Sequence, residues 1–218
     1  MSDDARRQRQ ALRDRLLEAA LPHVVFDGWG MTALAAGAAD AAVPEYQIHA
    51  AFISPENDLL AHFSDWADRR MLERLAEKDL SSMKIRERIA TAVRVRLEVL
   101  GGHEEAVRRA IGARALPGRA GTALRDGYRT VDAIWRAAGD RSTDFNFYSK
   151  RGLLAAVMVS TTLFWLDDQS DGHEETWAFL NRRIDEILQI PKMQARFSEA
   201  LERLMRPLGN LAGRARGA

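Results

Sequence analysis

The sequence predicts an all-α protein, with a helix-turn-helix-like head at its amino terminus and a larger helical bundle behind it. Three observations predict this. Apolar residues recur at three- and four-residue steps almost from end to end. No run alternates apolar and polar residues between hairpin-type turns, so a sheet is not expected. Gly and Pro punctuate the periodic segments at Gly28, Pro44, Pro55, Gly101-Gly102, Pro117-Gly118 and Pro191.

Taken in order, the first helix runs from about Ala5 to Phe26, with Leu12, Leu16, Ala19, Ala20 and His23 on one face, and stops at Asp27-Gly28. Thr32 is placed to cap a short second helix reaching Ala42, and Pro44 suits the first turn of a third that ends near Phe52. Ser54-Pro55-Glu56-Asn57 offers a capping hydroxyl, Pro at the first helical position and an acid on the positive end of the dipole. The long helix it opens turns Leu59, Phe63, Trp66 and Leu75 inward. Met83 to Leu100 is amphipathic through Ile85, Ile89, Val93 and Leu100, and His103 to Ala115 is shorter. Arg119 to Ala138 carries Leu124, Tyr128, Val131 and Trp135 at helical spacing. Ser142 or Thr143 caps a strongly apolar helix to Leu166, and Glu174 to Ile190 is amphipathic through Trp177, Leu180, Ile184, Ile187 and Leu188. A last helical segment follows Pro191.

Charge is unevenly spread. From Leu16 to Asp68 the chain runs 53 residues without Lys or Arg while carrying eight acids: Glu18, Asp27, Asp40, Glu45, Glu56, Asp58, Asp65 and Asp68. The first 68 residues net minus six and the remainder plus seven. Helix-turn-helix units hold DNA by setting cations against phosphates, so an acidic head is repelled by that target. No nucleic-acid partner is expected. The absence of Cys excludes disulfides, thiolate metal sites and Cys nucleophiles. Acids at Asp3 and Asp4 stand where a signal or transit peptide needs an acid-poor basic run, and the uncharged stretch Gly152 to Leu166 is short of a membrane span. The expectation is a soluble, bacterial-type cytoplasmic protein.

Catalytic signatures are missing. No histidine has an acid three residues before it, and there is no His-Glu-x-x-His helix, phosphate-cradling Gly-rich loop or Gly-x-Ser-x-Gly elbow. Neither an enzyme, a cofactor nor a metal is expected.

Two segments stand out. In Ala138 to Val157, Phe145, Phe147 and Tyr148 crowd the start of a helix, and three aromatics over four positions cannot all face one core. Either they staple the helix entry or at least one points outward toward a partner. In Arg196 to Leu211, Phe197, Leu201, Leu204, Leu208 and Leu211 form an apolar stripe flanked by Arg203, Arg206 and Arg214. That pattern suits an anionic membrane interface, and equally a terminal helix packed on the body or in a dimer.

From about Leu12 to Gln189 the chain resembles the accessory lipid-binding family of ubiquinone biosynthesis, the Coq-nine family. The resemblance is carried by Ala138-Gly139-Asp140-Arg141-Ser142-Thr143-Asp144-Phe145-Asn146-Phe147-Tyr148 with Arg151, by Leu154-Ala155-Ala156 and Ser160-Thr161-Thr162, and by Thr176-Trp177, Phe179-Leu180 and Arg183. The head, with Gly28-Trp29 and Thr32, is more loosely similar to TetR regulators. The resemblance implies a non-enzymatic, TetR-like homodimer that holds an isoprenoid quinone precursor and presents it to the demethoxyubiquinone hydroxylase. It implies a hydroxylase-docking patch at Asp144, Phe145, Asn146, Phe147, Tyr148 and Arg151, where Phe147 replaces the family's usual Trp and keeps an apolar anchor without an indole donor. It also implies peripheral contact with the inner face of a membrane through Arg196, Phe197, Leu201, Arg203, Leu204, Arg206 and Leu208, which Pro207 interrupts. The sequence between Gly112 and Arg129 departs most from the family.

A helix apolar on every side, as Gly152 to Leu166 is, must be surrounded by helices, by a second copy or by a ligand. With the resemblance, its candidate lipid contacts are Trp135, Leu153, Leu154, Val157, Met158, Thr161, Phe164 and Trp165. A plain packed core explains the same pattern. The chain thus divides into a head (1–54), a lipid-binding and dimerisation body (55–190) and an amphipathic terminal helix (191–218). A TetR-type ligand-responsive regulator is the rival reading; Pro44-Glu45-Tyr46-Gln47-Ile48-His49 offers it no cation.

Overall fold

The computed structural model describes residues 2–116, 118–140 and 145–187, with the backbone alone for 145–149; these form nine α-helices, one 3-10 turn and no strand. The helices are α1 (Asp3–Asp27), α2 (Met31–Asp40), α3 (Glu45–Ala51), α4 (Pro55–Ala76), α5 (Ile85–Leu100), α6 (Glu104–Arg114), α7 (Ala120–Ala137), α8 (Phe145–Asp167) and α9 (174–187). The expected segment after Pro191, and Ser142 and Thr143 as caps of α8, lie outside the described residues.

In the head, α1 buries Leu16, Leu17, Ala20, Leu21 and Val24, a stripe rotated from the expected one, which leaves Leu12, Ala19 and His23 half-buried. Helix α2 crosses it at contact: a Cβ on Gly37 would lie 2.6 Å from the Ala20 nitrogen, so the crossing requires glycine. Gly30, not Thr32, precedes α2. The helix ends earlier than expected because Ala42 turns left-handed at φ 50°, with Val43 N–H donating to Ala38 O (2.8 Å) and Ala42 N–H to Ala39 O (3.1 Å), the double bond of a Schellman stop. At α4, Ser54 does not cap with its hydroxyl. Asp58 reaches back instead, accepting from Ile53 N–H and Ser54 N–H at 2.9 Å each.

Head and body share one continuous core across the 54/55 boundary. Trp29 packs on Phe63 of α4 at 4.8 Å between ring centres and donates Nε1–H to Ala106 O of α6 (3.2 Å). Helix α4 packs on α5 and α7, and α7 packs on α5 and α8. The inward residues expected on α4 are buried, as are Ile89, Val93 and Leu100 of α5, while Ile85 is exposed. On α7 only the second half of the expected stripe is inside. Val131 and Trp135 are buried, but Leu124 and Tyr128 are 75% and 44% exposed. The buried side of α7 runs instead through Asp126, Thr130, Val131, Ile134 and Trp135.

The entry to α9 is organised by Asp168. Its carboxylate accepts from Ser170 N–H (2.8 Å), Thr176 N–H (2.9 Å) and the Thr176 hydroxyl (2.6 Å), bonds that hold it well below the usual carboxylate range. Phe179 of α9 stacks on Phe164 at 4.6 Å, and Leu180 and Ile184 enter the core.

Candidate functional site

Five helices, α4 to α8, enclose a cavity of about 390 Å³. That lies within the roughly 300–1,000 Å³ typical of small-molecule sites. Its walls are Phe63 of α4, Leu100 of α5, Val107, Ala110 and Ile111 of α6, Ala123, Gly127 and Val131 of α7, and Ala155, Met158, Val159, Thr162 and Leu163 of α8. Three of the apolar side chains in this lining, Ile111, Val159 and Leu163, are 38%, 61% and 47% exposed, so the cavity opens to the outside past apolar surface.

One wall is polar. Arg96 of α5 donates Nε–H to Asp68 (2.8 Å), and the Thr130 hydroxyl donates to the same carboxylate (2.7 Å). Arg114 of α6 donates through Nη2 to Leu60 O (2.9 Å), Ser64 Oγ (2.8 Å) and Asp126 (3.1 Å). Burial lowers the Arg114 pKa from its ordinary value, against the opposing pull of Asp126. Asp68, Asp126 and Thr130 are buried, so the cluster is a charge-paired network set beside otherwise apolar walls.

Of the eight lipid contacts expected from the sequence, Met158 lines this cavity. Leu154, Val157, Thr161, Trp165 and Trp135 are buried in the surrounding core. Trp135 donates Nε1–H to Lys150 O (3.3 Å), Leu153 is half-buried, and Phe164 faces Phe179. A helix apolar all round carries no mark of which side meets a neighbour and which meets a cavity. Sequence reasoning also missed Arg96, Arg114, Ser64, Thr130, Ala123 and Gly127. The small residues Ala123 and Gly127 share one face with Thr130 and Val131, and that spacing was the available signal.

In the expected docking patch, Asp144 and the side chains of Phe145, Asn146, Phe147 and Tyr148 lie outside the described residues; the backbone of 145–148 forms the first turn of α8. Arg151, the last residue of that expected patch, is turned inward. It is only 4% exposed, grips Asp132 of α7 through Nε and Nη2 (2.8 and 2.7 Å), and lies 3.7 Å from Asp140. It ties the start of α8 to α7 from the inside. Helix α7 is closed by Gly139, left-handed at φ 91°, with Asp140 N–H donating to Trp135 O (3.0 Å). The membrane-contact candidates Arg196, Phe197, Leu201, Arg203, Leu204, Arg206 and Leu208 lie outside the described residues. No helix among those described is long and apolar enough to cross a membrane.

The acidic stretch from Leu16 to Asp68 is partly answered by arginines that follow it. Arg70 pairs with Glu18, Arg119 with Glu56 (2.6 Å), Arg69 and Arg129 with Asp65 (3.0 and 3.2 Å), and Arg96 with Asp68. The bare field expected of eight acids is therefore smaller. The outward residues Glu45, Tyr46, His49 and Ala50 of α3 still include no Lys or Arg. Arg9, Arg13 and Arg15 of α1 are turned onto the carbonyls of Ala51, Asp58 and Ala41.

Residues 120–191, from α7 past the described end of α9, match the COQ9 family model. The ubiquinone biosynthesis protein COQ9, mitochondrial, of Drosophila melanogaster is 35% identical over 196 residues, covering 88% of this chain and 60% of that protein. The Homo sapiens protein of the same name is 31% identical over 188 residues, covering 83% and 59%. This chain belongs to the COQ9 family. It spans about 60% of the length of these curated relatives. In fold, it is similar to the TetR transcriptional regulator from Nitrosomonas europaea, with a TM-score of 0.67 at 24% identity over 82% of this chain and 98% of that one. The architecture is thus all-α and TetR-like. The segment matched by the COQ9 model holds the Gly139 turn, the Arg151–Asp132 pair and the Asp168–Thr176 cap, which lie at α7, α8 and the entry to α9.

Proposed function

We propose that this protein serves ubiquinone biosynthesis without being an enzyme: it binds an isoprenoid quinone precursor in the cavity between α4 and α8 and presents it to the demethoxyubiquinone hydroxylase. The observation that carries this reading is the apolar cavity with its apolar mouth, together with membership of a family whose curated members are named for that pathway. A polyprenyl tail gains roughly 0.8 kcal/mol for each methylene removed from water, and such walls supply that burial. The hydroxylase docks at the aromatic first turn of α8, held in place by Arg151 from within. The protein works as a homodimer at a membrane surface, touching the bilayer through the 196–208 segment; the relatives named above are mitochondrial proteins.

Tyr148→Ala tests the docking step. Losing a central aromatic anchor costs about 2 kcal/mol, roughly thirtyfold in affinity. Pull-down of the hydroxylase should weaken, with melting temperature and bound lipid near normal. Full partner binding, or loss only through unfolding, returns the aromatics to stapling the helix.

The TetR-like fold favours one second reading, a ligand-responsive repressor. With no cation on the outward face of α3, and three α1 arginines occupied by carbonyls, duplex DNA should not bind at about 150 mM salt. Submicromolar, sequence-selective binding in an anisotropy titration would establish the repressor instead.

A further inference from the structure

We infer that the cavity takes its ligand head-first, and that Arg96 and Arg114 select a neutral, oxygen-bearing ring over an anionic head such as a prenyl phosphate. This rests on the lipid-carrier reading above and adds to it an orientation and a head-group chemistry.

Two features of the polar wall carry it. The first is spare donors. Arg96 spends Nε–H on Asp68, and among the described residues neither of its Nη groups has a protein acceptor. Arg114 spends Nη2 on Leu60, Ser64 and Asp126, and among the described residues Nη1 and Nε have no acceptor. Both side chains line the cavity. A guanidinium carries five N–H donors in a fixed fork and accepts nothing, so what suits these groups is a ligand oxygen. Quinone carbonyls, phenol hydroxyls and methoxy oxygens are such acceptors, and a prenyl tail has none.

The second feature is neutrality. Each arginine is matched by one carboxylate, Asp68 at 2.8 Å and Asp126 at 3.1 Å. The wall therefore offers donors without net positive charge. An anionic phosphate taking the same N–H groups would stand against two buried carboxylates, with no net positive charge on the wall to offset its own. A neutral ring takes the spare N–H groups and disturbs neither pair. The lining also includes Ile111, Val159 and Leu163, apolar and partly exposed, which give the tail its exit.

The test is isothermal titration of the full chain, cleared of copurified lipid, with three ligands sharing a two-isoprene tail: a benzoquinone, the benzene that lacks its oxygens and the monophosphate. The quinone should bind at least about tenfold tighter than the benzene, the worth of a hydrogen bond to a charged donor, and the phosphate should not exceed the benzene. Arg96→Lys and Arg114→Lys keep a charge beside each aspartate but lose the fork. Each should cut quinone affinity severalfold while the benzene is unaffected, which an unfolded variant could not show. Equal binding of quinone and benzene to the wild type overturns the head-first inference and leaves the lipid reading standing. Tighter binding of the phosphate overturns the neutral selectivity. Failure of all three ligands to bind removes the lipid reading itself.

Discussion

Gly127→Phe combined with Ala155→Phe should empty the protein of prenyl lipid while leaving it folded. Both residues line the cavity, and a Cβ at Gly127 meets nothing within 4 Å, so a ring there enters open space rather than the packed core. Replacing a helical glycine also removes a propensity penalty of up to about 1 kcal/mol, which works against destabilisation of α7. Displacing one five-carbon unit of tail forfeits about 4 kcal/mol at roughly 0.8 kcal/mol per methylene, a fall in affinity of two to three orders of magnitude. The comparison is prenyl lipid recovered per mole of folded wild type and variant, with circular dichroism and a melting curve beside it. A variant as fully loaded as the wild type places the lipid elsewhere.

The second large effect is on acid stability, through His62. This ring is 3% exposed, and Nε2 lies 2.8 Å from Asp14, which Arg69 also grips at 2.6 Å. Burial, helped by the positive charges of Arg13 and Arg69 and opposed by Asp14, pushes the imidazole from its ordinary 6.5 down to about 4. His62 is thus neutral in the native state above about pH 4, and its Nε2–H donates a hydrogen bond to the Asp14 carboxylate. Because its folded pKa lies below the unfolded one, its contribution is whole above pH 6.5 and is lost as the pH falls toward 4. The loss is of order 3 kcal/mol, at about 1.36 kcal/mol per pKa unit. Urea midpoints measured between pH 7 and pH 4 should therefore fall steeply in the wild type and much less in His62→Gln, whose amide can still donate to Asp14. Parallel slopes for the two proteins would remove His62 as the source of acid sensitivity.

Much of the fold was legible because long amphipathic helices write their period into the chain. Leu59, Phe63, Trp66 and Leu75 are inward as their spacing required, and Gly28, Gly101 and Pro55 mark helix ends. What failed was local. Asp58 rather than Ser54 satisfies the donors at the start of α4, because a carboxylate one turn in can reach both N–H groups. Leu124 and Tyr128 read as core but lie outside, since α7 rolls its Asp126–Thr130 side inward to meet Arg114 and Asp68. Charges buried in pairs cannot be told from surface charges until the partner, 28 residues away for Arg96 and Asp68, is in place. The same limit hid the cavity. From Gly152 to Leu166 helix α8 is apolar on every side, so its sequence could not say that Ala155, Met158, Val159, Thr162 and Leu163 line a hollow while Leu154, Val157 and Trp165 face the core.

The central claim is that this chain carries a prenylated quinone or its precursor between α4 and α8. Organic extraction of the protein purified from quinone-making cells, followed by mass spectrometry, tests it most directly. A prenyl-tailed ring recovered from the wild type in a fixed ratio to protein, and missing from Gly127→Phe/Ala155→Phe, is the predicted result. Folded wild-type protein that is reproducibly free of any prenyl lipid would contradict it.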